Sequence, residues 1–135
     1  MSEENAVLFA NEAFYLAITN RDVTAMNQIW AEEDPVACIH PGWPALVGRA
    51  DVLDSWERIL SNDAAPNIVC REPRALIHGD VAVVVCYEQI ERELLVATNV
   101  FRRAQRQWRM VHHQAGPTAA RLARGEAPQA PPKPN

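Results

Sequence analysis

The sequence predicts an α+β domain in which three helices pack against one strongly curved antiparallel sheet. Two patterns lead there. Apolar residues recur at helical spacing as far as residue 60 and then alternate from residue 67 onward. The alternating runs are separated only by short polar turns, which makes successive strands antiparallel neighbours.

Residues 4–19 place Val7, Ala10, Phe14 and Ala17 on one side of a first helix, with Leu8, Tyr15 and Ile18 widening the stripe. Asn20 breaks it and Asp22 is an N-cap. Val23, Met26, Ile29 and Trp30 then continue as a short second helix against the first, ended by Glu32, Glu33 and Asp34. Pro35 leads into the β-prone run VACIH, which stops at Pro41, Gly42 and Pro44 with His40 at its end. After Gly48, the spacing of Val52, Leu53, Trp56, Ile59 and Leu60 predicts a third helix, closed by Ser61, Asn62, Asp63 and Pro66. Residues 67–77 read as a strand in which Pro73 marks an edge or a bulge, and His78-Gly79-Asp80 turns the chain into a strand at 81–90. Strands at 93–103 and 107–115 form a hairpin about a turn at 104–106. A brief helical turn at 120–124 precedes GEAPQAPPKPN, a proline-rich run that cannot join a core. A single domain is therefore expected over residues 1–117, followed by an extension at 118–135 that is disordered or packed on a neighbour.

Composition narrows the function. A chain of 135 residues, 48% hydrophobic, has room for one core and no second domain. Its net charge is -4, and Arg102, Arg103, Arg106 and Arg109 are balanced by acids such as Glu3, Glu4, Asp34 and Glu91, which argues against nucleic-acid binding. The acidic N-terminal residues do not form a signal peptide, and no stretch approaches a membrane span. Cys38, Cys70 and Cys86 are odd in number and widely spaced, as free thiols in a reducing compartment would be, so a cytoplasmic protein is expected. The sequence holds no GxSxG, HExxH, P-loop or GxGxxG pattern, and Cys38 with His40 does not complete a zinc set. Neither a metal nor a cofactor is expected.

The hairpin carries polar side chains where a sheet should be buried. Asn99, His112, His113 and Gln114 fall among Val96, Val100, Phe101, Trp108, Met110 and Val111. A buried polar side chain needs a hydrogen-bonded partner or a ligand, which suggests a cavity against the sheet. Adjacent His112 and His113 point to opposite faces, so one of them reaches it. Trp43 and Trp56 either wall such a cavity or are ordinary core, and Phe101 is grouped with them as ligand-lining. A buried Tyr15 hydroxyl needs Asn99, His40 or a ligand as partner. His40 is either a general base or a satisfied structural histidine.

The segments YLAITNRD, IWAEEDPV, HPGWPALVGRADVLDSWERIL and FRRAQRQWRMVHHQAG, in that order, resemble the SnoaL-like branch of the nuclear transport factor 2 (NTF2) superfamily over residues 5–117. The resemblance implies a cone-shaped fold whose curved sheet encloses a pocket, with dimers formed through the outer sheet face. It reaches ketosteroid isomerase, which uses a tyrosine and a protonated aspartate as oxyanion donors and a second aspartate as base. Tyr15 matches the tyrosine, His40 falls at the place of the base and Asn99 at that of the protonated aspartate. Two of the three differ in residue type, yet imidazole can serve as a base and an amide can donate. The resemblance also favours His113 inside the pocket and Trp56 on its wall. The hairpin further resembles the association domain of calcium/calmodulin-dependent kinase, whose WxxVHxH ending is similar to residues 108–114 and which uses the fold for assembly.

Two functions therefore stand side by side. One is an acid–base isomerase, cyclase or dehydratase acting on a small apolar organic molecule, with His40 as base, Tyr15 and Asn99 as donors, and Trp43, Trp56, Phe101 and His113 around the ligand. The other is a non-catalytic ligand-binding or oligomerisation module. If His113 faces inward, alternation along 107–115 places Trp108, Met110, His112 and Gln114 outside, as the surface of a homodimer.

Overall fold

The computed structural model describes residues 2–122. Helices α1 (Glu3–Thr19), α2 (Val23–Ile29) and α3 (Arg49–Leu60) pack on one face of a curved six-stranded sheet. Its strands are β1 (Ala37–Ile39), β2 (Leu46–Val47), β3 (Val69–His78), β4 (Val81–Ile90), β5 (Glu93–Ala104) and β6 (Gln107–Pro117), in spatial order β2-β1-β6-β5-β4-β3. The sheet is mixed rather than purely antiparallel. The short VACIH run lies parallel to β6, pairing Cys38 with His113, because the third helix returns the chain on the far side of it. No helix among the described residues is long and apolar enough to cross a membrane. Residues 120–122 are not helical, and the rest of the turn expected at 120–124 lies outside the described residues, as does the proline-rich run.

Local chemistry sets the helix ends. The Ser2 hydroxyl accepts from the Asn5 amide and caps α1, while the Asp22 carboxylate accepts from Ala25 N at 3.0 Å and starts α2. The buried stripe of α1, Val7, Asn11, Phe14, Tyr15 and Ile18, follows helical spacing onto the sheet. Arg49 donates to the Trp30, Ala31 and Asn27 carbonyls, fixing the start of α3 against the end of α2. Arg21 donates to the Asn62 and Ala65 carbonyls and so anchors the segment beyond α3. Pro73 sits on the edge strand inside a register shift between Arg71 and Arg74, where its missing N–H interrupts no ladder.

A second bulge overturns one expectation. Val100 pairs with His112 but Phe101 pairs with Met110, so Val111 is an extra residue and the alternation of β6 reverses there. His113 points inward, as the resemblance implies, with Ala115, and so does Met110, which is fully buried and bridges to Trp30 beside it. Trp108 turns the same way and lines a hollow with Phe9, Ala10 and Ala13 of α1. The proposed outer face of Trp108, Met110, His112 and Gln114 therefore does not exist as a unit. The apolar residues presented outward instead include Leu76, Val83, Val85, Val96 and Val100, on β3 to β5.

Candidate functional site

Strand alternation brings one row of polar side chains to the inner sheet face beneath α1. On β4, Ala82, Val84, Cys86 and Glu88 are buried in strict alternation, which drives a carboxyl into the core at 2% exposure. Asn99 on β5 and His113 on β6 are direct register partners, and Asn11 and Tyr15, one helical turn apart on α1, reach down to meet them.

The hydrogen bonds among these groups allow few proton placements. Asn99 Nδ2 donates to Asn11 Oδ1 at 2.8 Å and to Tyr15 Oη at 3.1 Å, using both of its hydrogens. Its Oδ1 must then accept, so His113 carries a hydrogen on Nδ1, 2.6 Å away. The Tyr15 hydroxyl donates to Glu88 Oε2 at 2.7 Å and touches Cys86 Sγ at 3.3 Å. His113 Nε2, left with a lone pair, lies 3.8 Å from the same carboxylate oxygen. Two lone pairs facing each other in a dry site repel, so this corner favours one shared proton.

The acidities agree with that geometry. Burial pushes the Glu88 carboxyl up to about 7, partly offset by the Tyr15 hydroxyl. Burial lowers His113 to about 3, with His40 and His112 adding to the effect. Burial first, and Glu88 second, hold the Tyr15 phenol well above its ordinary range, so it remains a donor. Near neutral pH the cluster is therefore an uncharged imidazole, an intact phenol and a carboxyl close to half protonation.

His40 stands beside this network without a hydrogen bond to it. Ser55 donates its hydroxyl to Val52 O at 2.7 Å, so its oxygen accepts from His40 Nε2 at 2.9 Å and leaves His40 Nδ1 unprotonated. Burial lowers this imidazole to about 4. The Trp56 ring packs edge-on against His40 at 4.7 Å and lies 5.9 Å from His113, linking the two histidines. Its indole N–H is buried without an acceptor among the described residues. Trp43, 42% exposed, packs 4.7 Å from His40 on the opposite side from the core and forms the outer cover of the site. Cys38 is the nearest thiol, and burial pushes it up to about 12, which excludes it as a nucleophile near neutral pH.

Of the residues expected to form a site, Tyr15, Asn99 and His113 meet in one network, while His40, Trp56 and Trp43 form an adjoining aromatic group. Phe101 belongs to neither. It is fully buried opposite Met110 and borders the hollow between α1 and β6. Sequence reasoning missed Glu88, Asn11 and Ser55. Each carried a signal: Glu88 is in phase with Ala82, Val84 and Cys86, Asn11 sits four residues beyond Val7, and Ser55 lies between Val52 and Trp56 on the buried stripe of α3. Among the described residues, no group of three or more histidines, cysteines, aspartates or glutamates comes together as metal ligands.

Comparison with known proteins agrees with this architecture. The SnoaL-like domain family matches residues 7–120. An NTF2-like family protein from Streptomyces avermitilis, proposed to be a dehydratase, is 34% identical, with a TM-score of 0.79 over 87% of this chain and 97% of that one. A proposed calcium/calmodulin-dependent protein kinase type II association domain from Thiobacillus denitrificans is 33% identical, with a TM-score of 0.73 over 81% of this chain and 92% of that one. The F-box protein SKIP8 of Arabidopsis thaliana is 29% identical over 112 residues, 82% of this chain and 48% of that protein. The chain thus spans about half the length of that curated relative. With three helices on a curved mixed sheet and a family match across most of its length, the chain belongs to the SnoaL-like domain family of the NTF2-like superfamily.

Proposed function

We propose that this protein binds a small apolar organic molecule beneath Trp43 and performs acid–base chemistry on it, of the dehydratase, isomerase or cyclase kind. The observation that carries the reading is Glu88: a fully buried carboxyl whose close polar neighbours are a phenol and an imidazole, with no cation against it among the described residues. A core keeps such a group at a cost in stability, and a carboxyl poised near neutral pH is suited to giving and taking protons. His40 is the base, acting through Nδ1. Tyr15 and Asn99 supply hydrogen bonds to an oxygen that gains negative charge, and Glu88 stores the proton that an elimination returns to its leaving hydroxide. Trp56 and Trp43 hold the apolar body of the substrate, and the free indole N–H of Trp56 is a further donor. The relative proposed to be a dehydratase supports this class of reaction. A cytoplasmic setting, consistent with three free thiols, is part of the same reading.

The test is a panel of small β-hydroxy ketones, followed by the ultraviolet absorbance of the conjugated product. Turnover that falls at least about a hundredfold in both Glu88→Gln and His40→Ala, with the fold intact, is expected. Unchanged turnover in either variant removes that residue from the chemistry.

The second reading is an assembly module, favoured by the 33% identity to the proposed kinase association domain. It takes the form of a homodimer through the outer sheet face, formed by Leu76, Val83, Val96 and Val100 with His112 at the margin. Light scattering at micromolar concentration decides it. A mass near 15.1 kDa sinks the dimer, whereas twice that, halved by Val96→Asp in a folded chain, supports it.

A further inference from the structure

Two of the three thiols lie together at the edge of the inner face. Cys70 pairs with Glu88 across β3 and β4, and Cys86 lies two residues from Glu88 on the same face of β4, so the two cysteines are diagonal neighbours. Side-chain contacts join them as well. Asn11 Nδ2 donates to Cys70 Sγ at 3.6 Å, Asn99 Nδ2 approaches Cys86 Sγ at 3.9 Å, and the two asparagines are bonded to each other at 2.8 Å. The two thiols also shift each other's acidity, Cys70 upward and Cys86 downward.

We propose that Cys70 and Cys86 are a modification site that closes to a disulfide when the protein meets a hydroperoxide. The two sulfurs differ in a way that divides the work. Cys86 is held below the ordinary thiol range, first by its neighbour Cys70 and then, against its burial, by its contact with the Tyr15 oxygen. Cys70 is pushed up by the same contact and keeps its proton. The Cys86 thiolate attacks one peroxide oxygen, the O–O bond breaks, and the products are a sulfenic acid and an alkoxide or hydroxide that takes up a proton. Cys70 then attacks the sulfenic sulfur, forming the S–S bond as its own proton leaves with the hydroxyl as water. Two electrons pass from the two sulfurs to the peroxide, so no other reactant is needed.

The backbone can supply the remaining movement. Diagonal positions of a regular ladder stand roughly 7–8 Å apart, slightly beyond the roughly 4.4–6.8 Å that a disulfide spans between Cα atoms. Here the bulge between Arg71 and Arg74 lies opposite Cys86, and β3 is an edge strand with a single neighbour. Closure would draw Cys86 Sγ away from Tyr15 Oη, now 3.3 Å from it, and so reach the network of the candidate site. Cys38, three strands away on β1 and pushed up to about 12, serves as the internal control.

The experiment treats the full chain with hydrogen peroxide, then alkylates it under denaturing conditions and maps it by mass spectrometry. Before alkylation the expected product is lighter by about 2 Da; after it, the Cys70 and Cys86 peptides are joined and Cys38 is alkylated, with full reversal by dithiothreitol. Cys70→Ser is expected to leave a sulfenic acid at Cys86 that dimedone traps, and Cys86→Ser to slow oxidation at Cys70 at least about tenfold. Circular dichroism of both variants controls for folding. Three intact thiols after treatment, separate oxygen additions without a cross-link, or a bond between two chains would each overturn the proposal. The readout is covalent, so it stands or falls apart from any catalytic role of the site.

Discussion

Replacing Glu88 by glutamine should stabilise the protein above neutral pH. Glutamine fills the same volume without the charge, and its carbonyl can accept from Tyr15 in place of the carboxylate. The carboxyl is raised from 4.5 to about 7, so between those values the folded chain holds a proton that the unfolded chain has released. Stability derived from that proton is complete below about pH 4.5 and is lost as the pH rises through about 7. The shift corresponds to about 3 kcal/mol, or about 1.4 kcal/mol for each pH unit across the window. Other groups titrate in the same range, so the difference between the variant and wild type is the quantity to measure. Urea unfolding at half-unit steps from pH 4 to 8.5 gives it by linear extrapolation. The variant's advantage should grow from pH 4.5, level off near 7 and reach about 3 kcal/mol. A difference independent of pH, or a wild type more stable than the variant at pH 8, would refute the argument that an unpaired carboxyl is buried there.

Two further outcomes follow from the same structure. His40 is lowered from 6.5 to about 4, so its contribution to stability is present above pH 6.5 and is lost as the pH falls through about 4. In His40→Asn, unfolding between those values should take up about one proton fewer, measured from the pH dependence of stability, and an unchanged uptake would show that His40 is not buried neutral. Met110→Ala should cost about 2–5 kcal/mol in denaturant because the side chain is fully enclosed, whereas an outward position on β6 would cost well under about 1 kcal/mol.

The sequence by itself determined the class of the fold and most of its elements, because periodicity, caps and turns are local properties. The 3.6-residue stripe of α1, the Asp22 cap, the Pro73 bulge and the turn at Gly79, which has a positive φ of 63°, all lie within a few residues of their cause. The meeting of Tyr15, Asn99 and His113 was legible only through the family resemblance, since these residues come from α1, β5 and β6 and spacing along the chain says nothing of their contact. Tertiary structure alone decided the rest. The parallel seat of β1 depends on where α3 returns the chain, and the inward turn of Met110 depends on one extra residue at Val111, which the alternating pattern does not reveal. Whether Glu88 is a surface acid or a buried one turns on the covering of β4 by α1. A strand pattern offers two faces, and only packing decides which of them loses water.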